Sequence, residues 1–339
     1  MTDTAVQTQA PVRDLALLPK GHLHLHMEAA IRPATLTDMS EAMDIVVPMH
    51  SVFTDFTEFS DTYRGILAVL SNPENLARLI DEAVEDAARE GVVYIEFGAS
   101  PHFYAGVYGS TELALEAMIE LCRASAEKWG VEIGLMITVD RIESIEVGVA
   151  YAKVAAAFAG RGVVSLGLAN DERGHPGAPY AEAFSIAKKA GLLSTPHAGE
   201  LVGPVEVWSA LDDLHADRVL HGVTSALDPA LMARLAADGI CLDVCPTSNV
   251  LLSVVPEIGA HPLKVLLEAG VRCSINADDP ILFGPDILAE YELCRTVLGL
   301  SDEQLAACAW SSIECGAGSA GLKSAAKIAI DAWLAAEPA

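Results

Sequence analysis

A chain of 339 residues with 52% hydrophobic side chains has ample material for a core and suits one α/β barrel, a fold that commonly runs to about 250 residues or more. Its formal charge of -26 argues against nucleic acid, whose phosphates need Lys and Arg patches, and disfavours a strongly anionic substrate; the plain reading is a solvated acidic surface. Seven cysteines, at 122, 241, 245, 273, 294, 308 and 315, form no CxxC pair and favour reduced core thiols over a disulfide framework or a thiolate metal site.

In chain order, residues 1–17 read as a flexible N-terminal segment. It is polar and lacks the basic-then-apolar order of a signal peptide, no apolar run approaches the roughly 20 residues a membrane span needs, and a cytoplasmic enzyme is therefore expected. Residues 18–339 read as a single domain. The first buried strand is expected over 20–26, followed at 34–70 by inserted helices carrying Phe53, Phe56 and Phe59, either as local packing or as a lid. From Asn72-Pro73 a rhythm sets in: a helix opened by a capping residue or proline, closed by glycine (Gly91, Gly191, Gly239, Gly270), then a β-branched run. Strands are expected at 92–97, 132–139, 163–168, 192–197, 218–221, 240–244 and 271–276. With the first they make eight, which predicts a parallel (β/α)8 TIM barrel, with a doubly wound open sheet as the alternative. No GxGxxG or GxxxxGK[ST] follows any strand, so a nucleotide-phosphate cradle is not supported.

The C-terminal strand ends of such a barrel converge on one mouth, and the chemistry-bearing residues fall there. His24 and His26 alternate with Leu25 in the first strand, so both imidazoles face the same way. His197, His221 and Asp278 end three later strands. One histidine on a strand is usually an ordinary core residue, but four and a carboxylate at corresponding strand ends suit a metal such as Zn²⁺ with an open position for water. His22 shares the face of His24 and His26 and reads as one layer deeper in the barrel.

His24-Leu25-His26, Pro196-His197-Ala198-Gly199-Glu200, Cys245-Pro246-Thr247-Ser248-Asn249 and Asn276-Ala277-Asp278-Asp279-Pro280, in that order, resemble the motifs of the adenosine deaminase family of the amidohydrolase superfamily. The resemblance implies one zinc ion per chain, held by His24, His26, His197 and Asp278. It implies that His221 orients the attacking water and helps take its proton. Glu200 would be a protonated acid on purine N1 and Asp279 a hydrogen-bonding partner of N7, with Ser248 and Asn249 bracing their loop. The family's reaction replaces a 6-amino group by a 6-oxo group and releases ammonia.

Two departures fall on substrate recognition. Glu28 stands where the family usually has an aspartate that contacts the ribose 5′-hydroxyl, beside His26. Asn170 stands where a glycine usually lets the backbone approach purine N3. The expected function is thus a zinc-dependent deaminase of a 6-aminopurine nucleoside, adenosine or a relative, with adenine, aminofutalosine-type nucleosides and N6-substituted purines as alternatives. A binuclear amidohydrolase is disfavoured because 163–171 lacks a bridging lysine, and a silent purine-binding protein because no ligand or acid is lost. The expected partner is a small purine, with no nucleic acid or membrane; oligomeric state is left open.

Overall fold

The β-branched and apolar runs form eight strands: β1 (Lys20–His26), β2 (Val92–Ala99), β3 (Glu132–Asp140), β4 (Val163–Ala169), β5 (Leu193–Ala198), β6 (Arg218–His221), β7 (Cys241–Val244) and β8 (Arg272–Ile275). They belong to a computed structural model that describes residues 12–50 and 56–338 and, in the helix Phe56–Leu70, side chains from Asp61 onward. Each strand pairs in parallel with the next, in the order β1 to β8, without a switch point. The seam between β8 and β1 closes just beyond β8. The His26 N–H donates to the Asp278 carbonyl at 3.0 Å, and the Asp278 N–H donates to the His24 carbonyl at 3.1 Å. Lower in the seam a side chain replaces the ladder, with Asn276 Oδ1 accepting from the N–H groups of Leu23 and His24 at 2.8 and 3.1 Å. This is the (β/α)8 barrel that the sequence predicts, and the open-sheet alternative falls away.

The helices between strands follow one local logic. In Pro73–Arg89 the Asn72 side chain accepts from the Glu74 N–H, Pro73 occupies the first turn, and Leu76, Leu79, Ile80, Ala83, Val84 and Ala87 are buried. In Pro229–Asp238, Asp228 caps the start and Gly239, at φ +69°, closes the end in the left-handed conformation that glycine adopts without strain. The expected insertion after β1 contains the helices Pro33–Ala42 and Phe56–Leu70. Phe53 lies outside the described residues, as do the side chains of Phe56 and Phe59.

Of the expected N-terminal segment, residues 1–11 lie outside the described residues. Residues 13–17 are tied down: Arg13 pairs with Asp302 at 2.7 Å, Trp333 Nε1 donates to the Asp14 carbonyl at 2.7 Å, and Leu15 is fully buried. All seven cysteines are free, and six are buried. Among the described residues, no helix is long and apolar enough to cross a membrane.

Below the mouth, four polar side chains come from alternate strands: Glu96 on β2, Ser165 on β4, Arg218 on β6 and Ser274 on β8. Alternate-strand layering is the way such barrels fill their interior, although with branched aliphatics in the usual case. Arg218 is inaccessible to solvent. It donates to Glu96 Oε1 at 2.6 Å and to Asp243 Oδ2 at 2.9 Å, while Ser165 and Ser274 donate to the same two carboxylates.

Candidate active site

Four donor atoms converge above that layer. His24 Nε2 lies 3.0 Å from His197 Nε2 and 3.1 Å from Asp278 Oδ1, which is 3.3 Å from His26 Nε2. His24 Nδ1–H donates to the Asp243 carbonyl at 3.1 Å, so the lone pair of Nε2 faces the cluster. Asp278 Oδ1 is buried with no hydrogen-bond partner, while Ser248 Oγ holds the other carboxylate oxygen at 2.7 Å. Lone pairs facing one another at this range repel unless a cation lies between them. Ligands about 2.0–2.1 Å from one tetrahedral Zn²⁺ would stand roughly 3.3 Å apart, close to the spacing found. The donor set therefore fits a divalent metal.

Backbone strain helps to place the groups around it. Asp278 and His221 sit at φ +63° and +61°, a conformation that costs a non-glycine residue energy and that the surrounding pairing must enforce. Gly199, between His197 and Glu200, has φ +66°, and a Cβ there would lie 2.3 Å from Val207 Cγ2, so the turn that delivers Glu200 requires glycine. Glu200 Oε1 lies 3.3 Å from His221 Nε2. Burial, reinforced by Asp278 and Glu172, holds its carboxyl well above the usual range. Asp279 is likewise pushed up to about 8, by burial and then by Asp278 and Glu28 against the opposing His26, and its Oδ1 has no hydrogen-bond partner.

Further residues, of which Asn249 alone is singled out from the sequence, hold this arrangement. Arg141 donates to the His197 carbonyl at 2.6 Å, and Glu172 Oε2 accepts from the N–H groups of Leu201 and Val202, which follow Glu200. Asn249 bridges His221 Nδ1 and His261 Nε2, each at 3.1 Å, and the Leu263 N–H donates to His261 Nδ1 at 3.2 Å. That backbone donor orients the whole relay: the amide nitrogen of Asn249 donates to His221 Nδ1, so Nε2 of neutral His221 carries its hydrogen toward Glu200. His22 stands outside the cluster, accepting from the Ala277 N–H at 3.1 Å.

A cavity of about 290 Å³ opens onto these groups, lined by His26, His197, Glu200, His221, Asp278 and Asp279 and also by Ser100, Thr138, Asp140 and Asn170. Tyr63, Arg64 and Leu67 of the inserted helix also line it. Glu28 does not. It is buried under two tyrosines, accepting from Tyr63 at 2.8 Å and Tyr104 at 3.2 Å.

A family model described as adenosine deaminase matches residues 19–333. The chain belongs to the adenosine deaminase family. It is 37% identical over 333 residues to a Streptomyces virginiae protein named as an adenosine/adenine deaminase, covering 95% of this chain and 98% of that one. It is 35% identical to the aminodeoxyfutalosine deaminase of Streptomyces avermitilis, over 95% of this chain and 93% of the relative. The adenine deaminase structure from Arthrobacter aurescens superposes with a TM-score of 0.85 at 28% identity, covering 96% of this chain and all of that one. As a member of this family the chain is a metal-dependent hydrolase acting on aminopurines.

Proposed function

We propose that the chain is a zinc-dependent hydrolytic deaminase of a 6-aminopurine nucleoside, adenosine or a close relative. The observation that carries this reading is the convergence of His24, His26, His197 and Asp278 beside a buried Glu200 whose carboxyl is held well above its usual range. Zinc held by those four residues would lower the pKa of water and so supply a nucleophile near neutral pH. His221, with its Nε2–H directed into the site, orients the attacking oxygen. Glu200 donates its proton to N1, which draws electron density from C6 and favours attack there. Asp279, kept largely neutral by burial, holds N7. The balance is simple: water gives its oxygen to C6, one of its hydrogens restores the Glu200 carboxyl, and the other leaves with the amine as ammonia.

Adenine is the second reading, because Glu28 is already bound by two tyrosine hydroxyls instead of standing free to accept one from ribose. Aminofutalosine-type nucleosides and N6-substituted purines belong to the same chemistry. Ammonia release over adenosine, 2′-deoxyadenosine, adenine, AMP and cytidine tests the proposal. Turnover of 6-aminopurines with little on cytidine is expected, since cytosine has no N7 for Asp279. Activity on cytidine alone, or none on any aminopurine with metal bound, would overturn it.

A further inference from the structure

We propose that Thr138 and Asp140, with Asn170 behind them, form a wall that binds the sugar hydroxyls of a purine nucleoside. This inference rests on the deaminase reading and names the part of the substrate that the reacting groups leave unread.

The groups placed to meet the reacting ring come from β1, β5, β6 and the segment after β8. Thr138 and Asp140 close β3, and Asn170 follows β4, so they line the cavity from the strands that lie between β1 and β5. Asp140 is fixed from behind: Oδ1 accepts from the Ile142 N–H at 3.0 Å and Oδ2 from Asn170 Nδ2 at 2.9 Å. Asn170 is itself held, at φ +81° and with Oδ1 accepting from the Asp171 N–H at 2.7 Å. Each carboxylate oxygen keeps lone-pair capacity for a further donor. Thr138 lines the same cavity and is only 6% exposed, and its Oγ1, itself buried, has no hydrogen-bond partner. A buried hydroxyl without a partner is costly, so its presence in a cavity wall points to a ligand that completes it.

Nothing in removing a 6-amino group calls for a carboxylate and a hydroxyl on that side. A neutral, hydroxyl-bearing substituent on the ring does. A phosphate is disfavoured, because Asp140 would face it as a like charge. The guanidinium among the described lining residues, Arg64, lies 2.6 Å from Asp61 and is largely exposed. Glu28, buried beneath Tyr63 and Tyr104, leaves the sugar to be read at β3 and β4 instead of after β1.

The test is the ratio of kcat/KM for adenosine to that for adenine in the wild type, Asp140→Ala, Asp140→Asn and Thr138→Val. Asp140→Asn keeps an acceptor for the Ile142 N–H and so guards against a loop that merely fails to form. The ratio is expected to fall tenfold or more in Asp140→Ala, and by smaller factors in Asp140→Asn and Thr138→Val. Loss of both substrates in proportion, an unchanged ratio, or a wild type that accepts adenine and no nucleoside would overturn the proposal. Calorimetric affinities for inosine and hypoxanthine give a second readout without turnover. If no aminopurine is deaminated, the catalytic reading fails by itself, while the wall stands or falls on whether Asp140→Ala and Asp140→Asn lower the inosine-to-hypoxanthine affinity ratio.

Discussion

Glu200 carries the proton on which the proposed chemistry turns. Its carboxyl is held up first by burial and then by the charges of Asp278 and Glu172, with Arg141 opposing, which favours the protonated form that the proposed acid role requires. Glu200→Gln keeps a hydrogen-bond donor for N1 but has no proton to deliver. We expect kcat to drop by about 10²–10⁴ while zinc content and inosine affinity hold, as general acid–base catalysis accounts for losses of that size. Turnover within tenfold of wild type would contradict the assignment. At this scale the metal-facing donors are legible in the sequence: alternation in β1 puts His24 and His26 on one face, and the other donors end separate strands. Thr138 and Asp140 are not, because a threonine and an aspartate at a strand end look ordinary until the cavity shows what they border. Glu28 is legible as a departure but not in its consequence, since the tyrosines that cover it lie 35 and 76 residues away in sequence.

At the scale of the elements, the barrel is tied through its middle by Arg218, which joins β6 to Glu96 on β2 and Asp243 on β7 at zero exposure. Arg218→Leu would strand two buried carboxylates, and breaking a buried ion pair by removing one partner costs about 3–5 kcal/mol. Urea unfolding measures this loss; a change below roughly 1 kcal/mol would show that the carboxylates find other partners or protons. At the opposite end of the strands from the mouth, Glu90 follows the helix Pro73–Arg89, and its carboxyl is pushed up to about 8 by burial and by Asp286 and Asp86, against Lys20. A carboxyl whose pKa rises on folding, from 4.5 to about 8, contributes stability that is full below 4.5 and lost as pH climbs through 8. Glu90→Gln should therefore raise Tm above wild type at about pH 8.5 and leave a much smaller difference at about pH 5. An equal difference at both pH values would refute the burial argument. The strands themselves are legible to within two residues at their ends, because glycine stops and β-branched runs are local signals. Closure of the seam is not, since it depends on Asn276 replacing a backbone ladder and on Asp278 pairing with β1, more than 250 residues distant.

For the whole molecule, the acidic composition argues against nucleic acid and no nucleotide-phosphate motif follows a strand, while the strand rhythm leads to the barrel. What composition does not encode is how eight strand ends are rotated toward one point. That rotation brings His24, His26, His197 and Asp278 within 4.8 Å of one another in a strongly anionic chain. The most direct test is to strip the protein with a chelator and titrate zinc back while following ammonia release from adenosine. Negligible release is expected from the stripped protein, followed by a rise that saturates at one equivalent of zinc per chain. Full activity after stripping, or saturation only at two equivalents, would contradict a single catalytic zinc held by these four residues.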